Sequence, residues 1–181
     1  KIAILSSQSK EIGEAVAKAV RMVNGKGIVE VERTNILGIS VEHKEGMELD
    51  RGLINPYLVT DPDKMLSRLE NPYILVTDYK LNALTEILPS VEAIRKEHGS
   101  ILVIAENFSD EFIKDAISNK LKGLLNIALI RAPLFGEKRV KVLEDIAIAT
   151  GAKFISKEAG FLIEDIVMED YGRSGSVISD Q

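Results

Sequence analysis

The chain contains no cysteine and no tryptophan, only two histidines, five prolines, and 5% aromatic residues. Without cysteine there is no disulfide scaffold, no thiolate metal site and no cysteine nucleophile. With only His43 and His98, a multi-histidine metal centre is not expected. Few aromatics and no tryptophan leave Ile, Leu, Val and Ala to build the core. No apolar run approaches the ~20 residues that a membrane-spanning helix needs. Positive charge is also scarce: 23 basic against 28 acidic residues leave a net charge of −5. A basic footprint for nonspecific nucleic-acid binding is therefore missing. There is no signal-peptide pattern and no initiator Met before Lys1, so the chain reads as a piece of something longer. What is present suffices for a globular fold: 181 residues, 45% hydrophobic and 28% charged, with a mean hydropathy of +0.06, too apolar for a disordered chain.

Hydrophobic periodicity divides the chain in two. Lys1-Ile2-Ala3-Ile4-Leu5 has strand composition. From Lys10 to Met22, Ile12, Val16, Ala19 and Val20 recur at helical spacing, and Asn24-Gly25-Lys26-Gly27 ends that helix. Ile28–Glu32 and Ile39–His43 read as strands, giving a small helix-plus-strand unit over residues 1–44. A loop-rich stretch from Glu45 to Asp63 follows. Beyond Asn71-Pro72, apolar runs at 73–76, 101–105 and 127–130 alternate with helical segments at 83–97, 109–122 and 137–149. Short apolar strands alternating with helices predict an α/β fold, with parallel strands and right-handed crossovers. A further strand is expected at Phe154-Ile155, and a weaker apolar segment at Phe161 to Val167.

An alternating α/β pattern raises a nucleotide-binding enzyme as a hypothesis, and the motifs do not supply one. The chain has no G-x-G-x-x-G after a strand, no G-x-x-x-x-G-K-[ST] and no G-x-S-x-G elbow. Gly172-Arg173-Ser174-Gly175-Ser176 is glycine-rich but reads as a surface turn. Asp50, Asp78, Glu106 and Asp110 lie near strand ends or loops; lacking a histidine or a metal motif beside them, they read as caps, turns and surface pairs. Asp110 with Ser109 marks a helix start. Lys138-Arg139-Lys141 reads as a solvated helix face.

What the core does not account for is apolar helix surface. Ile87, Val91 and Ile94 would dock the first crossover helix on a sheet, and Leu88 widens that stripe toward one edge. In the next helix Phe112 and Ala116 form one line, while Ile113, Ile117 and Leu121 form a second. Pattern alone admits a deeply buried helix, or two neighbouring helices whose apolar edges form a groove for apolar peptides.

Glu45-Gly46-Met47-Glu48-Leu49-Asp50-Arg51-Gly52 resembles the opening of the apical domain of GroEL-type group I chaperonins. The resemblance continues through Asn55-Pro56-Tyr57, Ile101–Glu106, Ala132–Arg139, Leu143–Ala147 and Thr150-Gly151, with no visible insertions over about residues 45–181. Residues 1–44, including Gly25-Lys26-Gly27-Ile28-Val29-Glu30-Val31-Glu32, resemble part of the intermediate domain.

The resemblance implies an α/β apical domain, a swivelling mixed sheet-and-helix unit, over 45–181, truncated at its C-terminal part, preceded by a partial intermediate domain over 1–44. It implies a molecular chaperone fragment that binds non-native polypeptides and the mobile loop of a GroES-type co-chaperonin. The parent would be a heptameric, ATP-driven ring in the bacterial cytoplasm, mitochondrial matrix or plastid stroma. The ATP and Mg of that parent would be bound outside this chain, which carries no catalytic residue, metal or cofactor of its own and is expected to be monomeric, with no nucleic-acid or membrane partner. The family's binding positions fall on Leu53, Asn55, Tyr57, Leu58, Leu88, Val91, Ile113, Ile117, Ser118 and Asn119. Leu53 stands where an aromatic residue is usual, Ser118 where an apolar one is, and Leu134 replaces a usual glycine. Those departures keep open a divergent paralogue with weak client binding, beside the less favoured nucleotide-binding enzyme.

Overall fold

In the computed structural model, residues 9–23, 29, 31, 38–41, 46–61 and 63–179 are described. The chain divides into two compact units, Lys1–Gly46 and Met47–Gln181. No helix among the described residues is long and apolar enough to cross a membrane.

In the first unit, helix α1 spans Lys10–Met22, the bounds its periodicity predicts. Ser9 caps it, its Oγ accepting from the Ile12 amide at 3.4 Å and so satisfying one of the first-turn donors that have no intrahelical acceptor. Only Gly13 is buried on this helix; Ile12, Val20 and Met22 stay exposed. The strand expected at residues 1–5 and the glycine-rich helix stop at 24–27 lie outside the described residues. The strands expected at 28–32 and 39–43 are not found where the chain is described: residues 29, 31 and 39–41 are in no strand.

The second unit is built on a parallel sheet. Strands β2 (Tyr73–Thr77), β4 (Ser100–Ala105), β6 (Asn126–Arg131) and β7 (Phe154–Ile155) lie in the order β6-β4-β2-β7. Leu75 is in register with Val103, and Val103 with Leu129. All six residues of β4 are buried, as expected of a strand covered on both faces. The covers are helices α2 (Leu88–Lys96), α3 (Asp110–Leu121) and α4 (Glu137–Thr150). The connections β2–α2–β4 and β4–α3–β6 step one way across the sheet, and β6–α4–β7 steps back past β2. Right-handed crossovers therefore put α2 and α3 on one face and α4 on the other. Ile94 of α2, Phe112 of α3 and Leu143 of α4 are wholly buried against these strands.

The helix starts follow local chemistry. Pro89 sits in the first turn of α2, where its missing N–H costs nothing; the residues before it, Leu84–Ile87, form a 3-10 turn rather than the α-helix the 83–97 periodicity predicts. Ser109 caps α3 by accepting from the Phe112 amide at 3.1 Å and donates to the Asn82 carbonyl, tying α3 to the chain entering that turn. Asp110 and Glu111 occupy the first turn, favourable at the positive end of a helix.

The small strands were not predicted: β1 (Ser67–Glu70) pairs antiparallel with β9 (Ser176–Ser179), and β3 (Lys80–Leu81) pairs parallel with β5 (Asn107–Phe108). The Phe161–Val167 segment carries a 3-10 turn at Ile163–Asp165. The Gly172–Ser176 stretch is a surface turn only at Ser174-Gly175: β8 (Gly172–Arg173) pairs antiparallel with β2, and Ser176 opens β9. Gly172 is required there because an added Cβ would lie 2.6 Å from Thr150 Oγ1 and 2.7 Å from its carbonyl oxygen. Arg173 then stacks 3.8 Å over the Tyr73 ring. Behind α2, the buried Ser90 hydroxyl donates to the Ile87 carbonyl at 2.9 Å and shares a second bond of 2.9 Å with Tyr171 Oη. Burial pushes the Tyr171 phenol up to about 12, so it stays a neutral partner at working pH.

Two backbone substitutions should act in opposite directions. Gly172→Ala should destabilise the chain by about 1–3 kcal/mol, because the added methyl meets backbone as well as a side chain. Leu134, whose φ is 63°, lies in the left-handed region that favours glycine, so Leu134→Gly should gain up to about 1 kcal/mol. Urea unfolding followed by circular dichroism measures both; equal midpoints for the two variants would contradict this reading of the backbone.

Candidate functional site

The ten positions that the family resemblance selects fall on three segments around α3. The first is 53–58. Leu53 bridges to Ile130, and the Ile54 amide donates to the Leu129 carbonyl at 3.1 Å, so this segment runs along the free edge of β6. Asn55 then caps a 3-10 turn, Pro56–Leu58, its Oδ1 accepting from the Tyr57 amide at 3.0 Å. The turn packs on both β6 and α3. It buries Leu58 completely and leaves Tyr57 67% exposed.

The second segment is α2 with its preceding turn, which also touches α3. Ile87, Val91 and Ile94 face the sheet as their spacing predicts, and Val91 is only 3% exposed. Leu88 alone of that stripe reaches the surface, at 37%. The third segment is α3 itself. Phe112 and Ala116 are buried, whereas Ile113 and Ile117 pack against the core while remaining half-buried. Ser118 and Asn119 are half-buried too, and the Asn119 side-chain amide donates back to the Asp115 carbonyl at 2.8 Å.

The structure thus places the ten residues unequally. Tyr57 and Leu88 are exposed; Asn55, Ile113, Ile117, Ser118 and Asn119 are half-buried; Leu53, Leu58 and Val91 belong to the core. Buried side chains at those three positions shape the surface from beneath rather than offering contact area.

Sequence reasoning passed over Lys120. Its Nζ donates to the Leu58 carbonyl at 2.6 Å and to the Ile127 carbonyl at 3.1 Å, clamping the 56–58 turn to α3 and to the start of β6. Burial pulls the ammonium down to about 8. The available signal was positional: Ile113, Ile117 and Lys120 follow one helical line at i, i+4 and i+7, so a lysine here lies on an apolar stripe.

The carboxylates of the strand ends resolve into internal partners. Asp78 is buried and accepts from Ser156 Oγ at 3.0 Å and from the Lys157 amide at 2.9 Å. This pair fills the point where β2 and β7 diverge, the position at which open α/β sheets bind ligands. Glu106 holds Arg139 at 2.9 Å and Lys157 at 3.6 Å. Arg139 is therefore not part of the solvated face its neighbours Lys138 and Lys141 suggest: it reaches back to the end of β4, largely buried. Asp50 is exposed in a bend. A separate cleft of about 260 Å³ is lined by Lys153, Phe161, Leu162 and Asp170 among others, but Lys153 and Asp170 pair with each other at 3.2 Å. Among the described residues no group of three or more His, Asp or Glu converges as a metal site would require. No protein-family model matches the chain.

Lys120 makes a linked pair of predictions. Lys120→Met leaves the Leu58 and Ile127 carbonyls without their ammonium donor and should cost about 1–3 kcal/mol at neutral pH. In the folded chain Lys120 titrates near 8, against about 10.4 for an unfolded lysine. Between those values the unfolded chain binds more protons, so stability rises with pH; the contribution is complete above the unfolded value and lost as pH falls through about 8. The stability difference between wild type and Lys120→Met should therefore widen from pH 8 to 10, read from urea unfolding at each pH. A constant difference would show that the amine is not desolvated.

Proposed function

We propose that this chain is a polypeptide-binding module, the apical part of a group I chaperonin, which holds non-native polypeptides and a GroES-type mobile loop on the surface around α3. The observation that carries this reading is that the 56–58 turn, with exposed Tyr57, and the 84–87 turn, which leads into exposed Leu88, both contact α3, the helix of half-buried Ile113 and Ile117, at positions where the family resemblance puts its binding residues. The same resemblance assigns residues 1–44 to an intermediate domain, and assigns ATP and Mg to a part of a ring-forming parent outside this chain.

The mechanism is passive burial. A client leucine or isoleucine moved from water onto these side chains gains at most about 1.5–3 kcal/mol each. Association costs an estimated 4–15 kcal/mol in lost translational and rotational freedom, besides the ordering of the client. Two or three apolar contacts then give weak binding, as suits a surface that must release its client. In a ring, several copies acting on one client would restore affinity through effective concentration. With Leu53, Leu58 and Val91 buried and Ser118 polar, the apolar contact area is small, and this favours the weak-binding paralogue over a strong client trap.

The test is a titration of the isolated chain with a GroES-type mobile-loop peptide, followed residue by residue by NMR. Shifts should centre on Tyr57, Leu88, Ile113 and Ile117. In an Ile117→Glu variant whose amide spectrum shows it folded, affinity should fall at least about tenfold, equal to about 1.4 kcal/mol, because client burial would desolvate an unpaired charge. Shifts confined to the cleft at Lys153 and Asp170, or saturable binding of ATP by the chain, would overturn the reading.

A further inference from the structure

The half-buried edge of α3 carries a charge beside its apolar line of Ile113, Ile117 and Leu121. One turn on from Ile117 comes a half-buried lysine, Lys120, next to the exposed Leu121. An ammonium has three N–H donors. Lys120 gives two of them to the carbonyls of Leu58 and Ile127, which leaves one donor. Among the described residues no carboxylate lies within 4.0 Å of its nitrogen, whereas Glu106 and Asp170, at the strand ends and the cleft, are both ion-paired. Two carbonyls and the last turn of α3 compensate that cation only in part, so an anion that meets it recovers some of its desolvation cost.

Resting on the function proposed above, we propose that Lys120 makes this surface selective for polypeptide segments in which an aspartate or glutamate side chain follows apolar residues at a fixed spacing. The spacing follows from geometry. From Ile113 to Lys120 is seven helical residues, roughly 10 Å along the axis at about 1.5 Å per residue. An extended peptide advances about 3.3 Å per residue with alternate side chains on one face. Apolar residues at i and i+2 then meet Ile113 and Ile117, and a carboxylate at i+4, the next position on that face, reaches the ammonium. An acid at i+1 points away, and one at i+7 overshoots.

The experiment uses the whole chain and a set of nine-residue peptides, acetylated and amidated so that a side chain carries the only carboxylate. Each has valines at i and i+2 and differs in carrying Asp or Asn at i+1, i+4 or i+7. Affinities are read by competition against a fluorescent valine-rich peptide. The Asp peptide at i+4 should bind about five- to tenfold tighter than its Asn partner, the range of a partly desolvated charge pair, with ratios near one at i+1 and i+7. Carbodiimide coupling of the i+4 Asp peptide should join it to Lys120 rather than to Lys114 or Lys122, identified by peptide mass mapping. In Lys120→Gln the i+4 ratio should fall to about one, whatever the variant's affinity for the Asn peptide. If that variant does not fold, the wild-type ratios and the coupling site still decide. Equal binding of the two i+4 peptides, or coupling to Lys114 or Lys122, overturns the selectivity while leaving a polypeptide-binding surface. Absence of binding by every peptide, the fluorescent one included, overturns the function itself and the selectivity with it.

Discussion

A sheet whose strands are apolar on both faces cannot stand in water, and most features of the larger unit follow from meeting that demand. Ser100–Ala105 is buried from end to end, and its neighbours 73–77 and 126–131 nearly so. Each Ile or Leu left uncovered would forfeit roughly 1.5–3 kcal/mol, against a net stability of only about 5–15 kcal/mol for a domain. Helices must therefore lie on both faces, and connection handedness decides which goes where. With α2 and α3 forced to the same face, the outer edge of α3 meets the 56–58 turn, and its inner end meets the 84–87 turn. The candidate surface is what is left when three segments have satisfied the sheet and still have apolar side chains to spare.

That origin explains which parts were legible in sequence. The parallel strands, and helices α1, α3 and α4, lie within a residue or two of their predicted bounds because each repeats a period several times. Leu58 shows the limit. Its residue type matches a binding position and a core position equally well, and only the tertiary packing says that it is buried, whereas the burial of Val91 followed from its spacing. Ser109 was readable as a local device, since a cap acts over three or four residues. The 3-10 turn at 84–87 was not: the stripe of Leu84, Ile87 and Val91 suits either helix, and the tighter turn follows from α2 beginning beside Pro89.

The missed strands share a cause. Ser67–Glu70, Gly172–Arg173 and Ser176–Ser179 are two to four residues long and carry Ser, Arg, Glu or Gly, which have no strand signature of their own. Their pairings span a hundred residues of chain, so they exist only once the sheet does. Arg173 is the informative case. Its position beside a glycine suggested a turn, yet Gly172 is there to admit the Thr150 backbone, and Arg173 follows it onto the Tyr73 ring. The carboxylates at the strand ends behave alike. Asp78 and Glu106 sit where α/β enzymes place catalytic acids, but Ser156, Lys157 and Arg139 have taken their lone pairs, and this turns the usual ligand crevice into a fastening.

Lys120 stands apart from those fastenings because its partners are carbonyls rather than carboxylates. A carboxylate would have neutralised it and locked the turn more firmly, as happens for Arg139 and Lys153. An apolar residue would have continued the line of Ile113 and Ile117 without the desolvation cost. The arrangement found leaves the ammonium without a carboxylate while holding Leu58 against α3. The turn also separates Tyr57 from Leu58: one side chain closes the core beneath α3, and the adjacent one stands two-thirds exposed, a rigid ring with an apolar body and a polar tip.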